Sequence, residues 1–368
     1  MTERTDVGTV EDLHASASKF VGLDDFGADD DNYREALGVL LDSYQTEADL
    51  TPLGSKMNRF FLRGALVARL LSQAAWQQHP EHADVVIERP IFVTGLPRTG
   101  TTALHRLLGA DPAHQGLQMW LAEYPQPRPP RDTWDTNPVF QQLQAQFSQH
   151  HDENPGYTGL HFMTADELEE CWQLLRQSLH SVSYETLAHL PSYAQWLSRQ
   201  DWGPSYRRHR RNLQLIGLYD AEKRWVLKNP SHLFALDALM ATYPDALVVQ
   251  CHRPAETIMR RCARWPSTPP PGGRTALSGR RSARTRWRPG RGGWSGSTPN
   301  APSTTRRSSA TSTTPTSSPI RWRPWSPSTA ISACRSPRRP GPRCRPATPR
   351  ANRARARPST PIRWVITG

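Results

Sequence analysis

The sequence predicts an α/β fold: a parallel sheet flanked by helices, with a helical segment ahead of it and a disordered C-terminal tail behind. Three observations carry this prediction. The apolar run Ile91-Phe92-Val93 leads into a glycine-bounded loop, Gly95 to Gly100, and then into a helix start at Thr101. The same order returns downstream, where Arg224-Trp-Val-Leu-Lys228 reads as a strand, 231–243 as a helix with Ser231 near its cap, and 245–252 as a further strand ending in His252-Arg253-Pro254. Strands alternating with helices favour a parallel sheet covered on both faces. Beyond residue 259 the composition changes abruptly and apolar periodicity stops, which removes the means of building a core. The chain thus divides into a helical segment over 1–85, an α/β core over 86–259 and a low-complexity tail over 260–368.

Residues 1–30 are polar, with acidic groups clustered at Asp24, Asp25 and Asp29 to Asp31. Helical patterning begins over 33–44. It returns over 51–78, where Met57, Phe60, Phe61, Leu66, Leu70 and Leu71 form a wide apolar stripe behind a Thr51-Pro52 start. A proline-rich loop occupies 123–130. Residues 134–200 read as mostly helical and rich in aromatics, among them Trp172, Tyr184, Tyr193 and Trp196. In an enzyme they would wall an acceptor pocket; as plain packing they would fill a core.

The loop after the first strand is built to hold an anion. Backbone N–H groups at a glycine-bounded turn and a helix N-terminus both point positive charge at a phosphate-like group. The Gly95 to Gly100 spacing fits the P-loop pattern G-x-x-x-x-G, yet Thr101 stands where a nucleotide-binding lysine would be, and the cation is Arg98 inside the loop. Ligands on open parallel sheets sit at the carboxyl ends of strands. Arg98, Lys228 and Arg253 all fall there.

The succession Pro97-Arg-Thr-Gly-Thr-Thr102, Lys228-Asn-Pro-Ser-His232 and His252-Arg253-Pro254 resembles the sulfotransferase superfamily that uses 3′-phosphoadenosine 5′-phosphosulfate. Over about 20–259 the chain looks like actinobacterial sulfotransferase-family proteins. The resemblance implies a P-loop-like α/β fold and transfer of a sulfuryl group to an acceptor hydroxyl or amine, with the phosphosulfate nucleotide as co-substrate and no metal. Pro97, Arg98, Thr99, Gly100, Thr101 and Thr102 would form the phosphosulfate loop. Arg98, in the place of a lysine found in many relatives, would act electrostatically, with Lys228 a second cation. Arg253 resembles the arginine that holds the 3′-phosphate; relatives pair it with a serine eight residues later, where this chain has Arg261. A general base must reach the acceptor hydroxyl. His232 is the first candidate, placed at the mouth of the second α/β unit, although many relatives carry the histidine two residues after the lysine. Glu167 and Glu170 are the alternatives, and His161 and His105 are further options. The acceptor class is open among small molecules, lipids and glycolipids. The rival reading, a P-loop kinase or other enzyme using a nucleoside triphosphate, needs a lysine at position 101 and a Mg²⁺-holding acid after an apolar strand, and neither is found.

The formal net charge of +13 conceals two opposed parts. Residues 1–259 carry 22 Lys and Arg against 33 Asp and Glu, whereas 260–368 carry 24 Arg and no acid. The N-terminus lacks the basic and apolar regions of a secretory signal, and no run approaches the roughly 18 apolar residues of a membrane span. Five cysteines without a C-x-x-C pair argue against a disulfide framework or a zinc site, so the expected location is cytoplasmic. The tail also lacks Lys, His, Gln, Tyr, Phe and Met. An Arg/Trp tail of this kind could bind nucleic acid through phosphates and base stacking. The favoured explanation is a frameshift in a GC-rich gene near codon 260. Codons can be chosen for 259–265 so that one restored nucleotide yields Met-Ala-Ser-Val-Cys-Ala-Leu, an ordinary helix that returns a serine to position 261.

Overall fold

A computed structural model describes residues 5–28, 30–153, 163–263 and 363–367. Helix α1 (Val10–Val21) opens the chain within a stretch that reads as polar; Val10, Leu13, Ala17 and Val21 recur at helical spacing, yet only Leu13 and Ala17 are buried. Its ends are nonetheless set locally: Thr9 and Asp12 form a reciprocal capping box, and Gly22 closes the helix in the left-handed conformation. Helix α2 (Tyr33–Glu47) covers the expected 33–44 and continues for a further turn. Helix α3 (Pro52–Gln78) starts where the Thr-Pro pair indicates, with the Thr51 hydroxyl accepting from Gly54 N at 3.2 Å.

A buried charge ties these helices to the middle of the chain. Arg69 of α3 is fully buried, with Nη1 2.7 Å from Asp31 and 3.2 Å from Gln177 O, and Nε donating to Phe26 O at 2.8 Å. Its guanidinium lies 3.7 Å from the Tyr33 ring centre, and Ser178 donates to the same Asp31 carboxylate.

Strand β1 (Ile91–Thr94) is followed by α4 (Thr101–Gly109), β2 (His114–Gln115), α5 (Met119–Glu123) and α6 (Pro138–Glu153). Next come the short helices α7 (Trp172–Leu175), α8 (Tyr184–Leu187) and α9 (Pro191–Leu197), then α10 (Gly203–Ile216) and β3 (Arg224–Lys228). Helix α11 (Leu236–Thr242), β4 (Leu247–His252) and α12 (Ala255–Ala263) complete the continuous part. The sheet order is β2-β3-β1-β4-β5, where β5 (Arg363–Thr367) lies in the tail that the sequence predicts to be disordered and, against that expectation, pairs antiparallel with β4. The other four strands run parallel.

β1 is buried on both faces, as a central parallel strand must be. Phe92 packs against His209, His232 and Tyr243 on one face. Ile91 and Val93 meet Val226 and Cys251 on the other, under Leu104 and Leu108 of α4. Two local readings change. The expected helix over 231–243 is split into a 3₁₀ turn at Pro230–Phe234 and α11, and the cap is Asn229, whose Oδ1 accepts from Ser231 N at 3.2 Å. Among the aromatics of 134–200, Tyr184 and Tyr193 are buried edge-to-face at 5.9 Å and fill core, and half-buried Trp196 stacks on Tyr193 at 6.0 Å at its margin.

Candidate functional site

The loop between β1 and α4 has a backbone that only certain residues permit. Gly95 sits at φ +142°, and a Cβ there would lie 2.6 Å from Cys251 O, inside the neighbouring strand's backbone. Arg98 adopts φ +70°, a left-handed conformation that costs a non-glycine residue roughly 1–3 kcal/mol and persists only when its surroundings impose it. Here the Arg253 guanidinium donates from Nη1 to Arg98 O at 3.2 Å, and the Thr99 hydroxyl donates to Leu96 O at 2.7 Å. Gly100 then leads at φ +105° into α4, whose first N–H groups have no partners within the helix. Thr101 is buried under the loop and Thr102 is exposed beside it. Pro97 completes the turn.

Lys228 ends β3, the strand beside β1, and is 4% exposed. Its ammonium is bonded to the Glu170 carboxylate. Backbone bonds hold this pair as well: Cys171 N donates to Lys228 O at 2.9 Å and Asn229 N donates to Val93 O at 3.2 Å. The Thr94 hydroxyl donates to Asn229 O at 2.9 Å, joining the start of the phosphate-type loop to the turn after Lys228. Loop, Lys228, Glu170 and Arg253 therefore lie at the carboxyl ends of β1, β3 and β4, where strand order departs to either side of β1.

The candidate bases separate. His232 is not at the mouth of the unit: it is fully buried, shares a 2.6 Å hydrogen bond with the Tyr206 hydroxyl through Nδ1, and stands edge-on to Phe92 at 5.1 Å. Burial, with His209 adding to it, pushes its pKa well below that of an ordinary histidine. His105 is also buried on the sheet side of α4, its Nε2 donating to Val226 O at 3.2 Å, and burial followed by the charge of Lys228 lowers its pKa to about 3. Glu167 turns to Arg106 at 2.9 Å on the outer flank of α4, in an open depression with Gly109 and Leu168. His161 lies outside the described residues.

Sequence reasoning passed over Glu169, next to Glu170 in the chain. Its carboxyl is buried, and burial, with Glu170 adding and Lys228 opposing, pushes its pKa up to about 7. Nothing in the run Glu-Leu-Glu-Glu distinguishes its members; only the fold separates an outward Glu167, a buried Glu169 and a Glu170 paired with lysine. Among the described residues no group of three or more His, Cys, Asp or Glu side chains could hold a metal ion, and no helix is long and apolar enough to cross a membrane.

The family model described as "Sulfotransferase family" matches residues 90–287. Among solved structures, sulfotransferase STF1 from Mycobacterium tuberculosis H37Rv is 84% identical, with 71% of this chain and 72% of that chain aligned at a TM-score of 0.69. Sulfotransferase STF9 from Mycobacterium avium is 30% identical over 72% of this chain and 67% of that one, at a TM-score of 0.64. The omega-hydroxy-beta-dihydromenaquinone-9 sulfotransferases Stf3 of Mycobacterium bovis and M. tuberculosis are each 26% identical over 187 residues, 46% of this chain. The match spans 43% of the length of these curated relatives.

Proposed function

The chain belongs to the sulfotransferase family, and from that premise we propose that it transfers a sulfuryl group from 3′-phosphoadenosine 5′-phosphosulfate to the hydroxyl of a lipid-like acceptor. The observation that carries the reading is the pair of buried Lys228 and half-buried Glu170 beside an anion-cradling loop at the carboxyl ends of the central strands. The loop suits the doubly anionic phosphosulfate end of the donor. Gly95 and Gly100 keep side chains out of the turn, the α4 N-terminus supplies backbone N–H groups, and Arg98 and Arg253 supply permanent charge. When bound, the donor supplies the sulfuryl group and a phosphate leaving group.

The protein's own part is positioning, charge and one proton. Glu170 takes the acceptor's hydroxyl proton at a carboxylate oxygen. Lys228, held at the end of β3, orients that carboxylate and offsets charge that develops on the leaving oxygen. Arg98, always protonated, acts by charge alone. Arg253 holds the loop through the Arg98 carbonyl and faces the nucleotide's 3′-phosphate. His232, enclosed between Phe92 and Tyr206, is left a structural role. The hydroxyl-bearing menaquinone in the name of the Stf3 relatives supports a lipid-like alcohol as acceptor.

The test separates proton removal from donor binding. Release of 3′-phosphoadenosine 5′-phosphate is followed with a long-chain primary alcohol as acceptor, for this chain and for its frame-restored counterpart. In whichever protein turns over, Glu170→Gln lowers kcat by about 100-fold or more, while calorimetric binding of the bisphosphate product is unchanged. Arg98→Ala weakens that binding. A Glu170→Gln variant that keeps wild-type kcat would sink the base assignment.

A further inference from the structure

Helices α1 and α3 carry an exposed aromatic patch that the proposed chemistry does not use. Phe20 is 54% exposed, Phe60 58% and Leu53 47%, values uncommon for such large apolar side chains. Leu53, Lys56, Met57, Phe60 and Arg63 follow one another at three- and four-residue spacing, so they share one face of α3. Phe20, at the end of α1, joins them through Arg63, whose guanidinium lies 5.1 Å from the Phe20 ring centre and 5.8 Å from that of Phe60.

The charge around the patch runs against that of the body of the chain. Residues 1–259 carry 11 more acidic than basic groups. At the patch the cations are Lys19, Lys56, Arg59 and Arg63, with Lys19 and Lys56 exposed, against one exposed acid, Asp6, whose carbonyl accepts from Ser55. The acids of α1, Glu11 and Asp12, sit in its first turn, about two turns from Phe20. Aromatic and aliphatic tips ringed by lysine and arginine match the boundary of an anionic bilayer, where rings enter the headgroup layer and cations meet phosphates.

The patch also adjoins the Tyr124 side of the fold. Arg63 is close enough to Tyr124 for its charge to act on the phenol. At the next residue, a Cβ at Gly64 would lie 3.5 Å from Arg176 Nη1, and the Arg176 guanidinium covers Trp172 at 5.6 Å, two residues beyond Glu170.

We propose that the face formed by Phe20, Leu53, Phe60 and the surrounding Lys19, Lys56 and Arg63 docks the protein on an anionic lipid surface. An acceptor dissolved in that surface then approaches along the Tyr124–Trp172 flank. The docking stands on the patch itself and is read without turnover, so failure of the sulfuryl-transfer reading leaves it intact.

The test is co-sedimentation of the full chain with phosphatidylglycerol–phosphatidylcholine vesicles. It is run at about 0.15 M and about 0.5 M NaCl, the higher salt screening the Arg-rich tail. At high salt the double variant Phe20→Ser/Phe60→Ser partitions about tenfold less than wild type. Val86→Ser, which removes an apolar side chain 62% exposed elsewhere, partitions as wild type does. Lys19→Glu/Lys56→Glu weakens binding chiefly at low salt. Because these side chains are exposed, circular dichroism and thermal melts of the variants match wild type. The proposal is overturned if the phenylalanine double variant binds as wild type does, or if Val86→Ser weakens binding equally. It is also overturned if the double variant dissolves a dimer in sedimentation velocity while vesicle binding is unchanged.

Discussion

Mild acid should unfold this protein through its buried histidines. Burial lowers His105 and His209 to about 3 and His180 to about 4, and holds His232 well below the ordinary value. In the unfolded chain each returns to about 6.5. The folded state therefore resists protons that the unfolded state accepts, and stability present above pH 6.5 is lost as pH falls toward the folded values. Between pH 7 and pH 5 His105, His180 and His209 each cost about 2 kcal/mol, roughly 6 kcal/mol for the three, and His232 acts in the same direction. Glu169 works in the opposite direction. Its carboxyl, near 7 when folded, regains its proton in this window and returns about 2 kcal/mol. Asp31 and Asp220, where burial is outweighed by their cationic partners, lie below the usual carboxylate range and titrate under the window. The net loss is about 4 kcal/mol before His232 adds to it, a large part of the whole stability of a domain. Equilibrium urea unfolding followed by circular dichroism, at fixed ionic strength and pH 7.0, 6.0 and 5.0, should show stability falling with a slope of about 2 kcal/mol per pH unit or more near pH 5.5. A flat profile, or one that rises toward pH 5, refutes the reasoning. His209→Phe, which removes one of the titrating groups, should shallow the slope by about one proton if it folds, and the wild-type profile stands as a test without it.

Further outcomes follow from particular contacts. Gly95→Ala must force a Cβ into Cys251 O while holding a left-handed φ, and should cost about 2–3 kcal/mol in urea unfolding together with the affinity for the bisphosphate product. Arg69→Met leaves Asp31 buried without its guanidinium and should cost about 3–5 kcal/mol; Arg69→Met/Asp31→Leu should cost less than the single change, and an equal or larger cost would show that the pair's charges are not the issue. Sequencing the native locus across codons 250–270, with the intact mass of the protein, tests the frameshift. A missing base predicts little turnover from this chain and recovery in the frame-restored one, whereas an intact frame with salt-sensitive RNA binding by the tail favours the nucleic-acid reading.

The phosphate-type loop was legible because its determinants are local. A buried strand, a glycine that no Cβ can replace, an arginine inside the turn and a helix start are adjacent in the chain, as are Thr51-Pro52 and the start of α3. Lys228 and Arg253 were legible for a related reason: each ends an apolar run, and strand ends in parallel sheets converge. Helix α1 buries little, so its sparse apolar period at Val10, Leu13, Ala17 and Val21 was easily passed over beside the local signals of the Thr9 cap and Gly22. What the tertiary structure alone decided concerns direction and partnership. Lys228 meets Glu170 because the segment ahead of α7 is hydrogen-bonded to the end of β3, a contact 58 residues apart in sequence. His232, four residues past Lys228, turns inward because the 3₁₀ turn after Asn229 aims it at Tyr206 and Phe92. Among three glutamates alike in sequence, burial shifts the pKa of Glu169, while Lys228 engages Glu170. Residue type and spacing supply the chemical groups; which of them faces a substrate depends on what the rest of the chain places against each one, and that exists only once the sheet has formed.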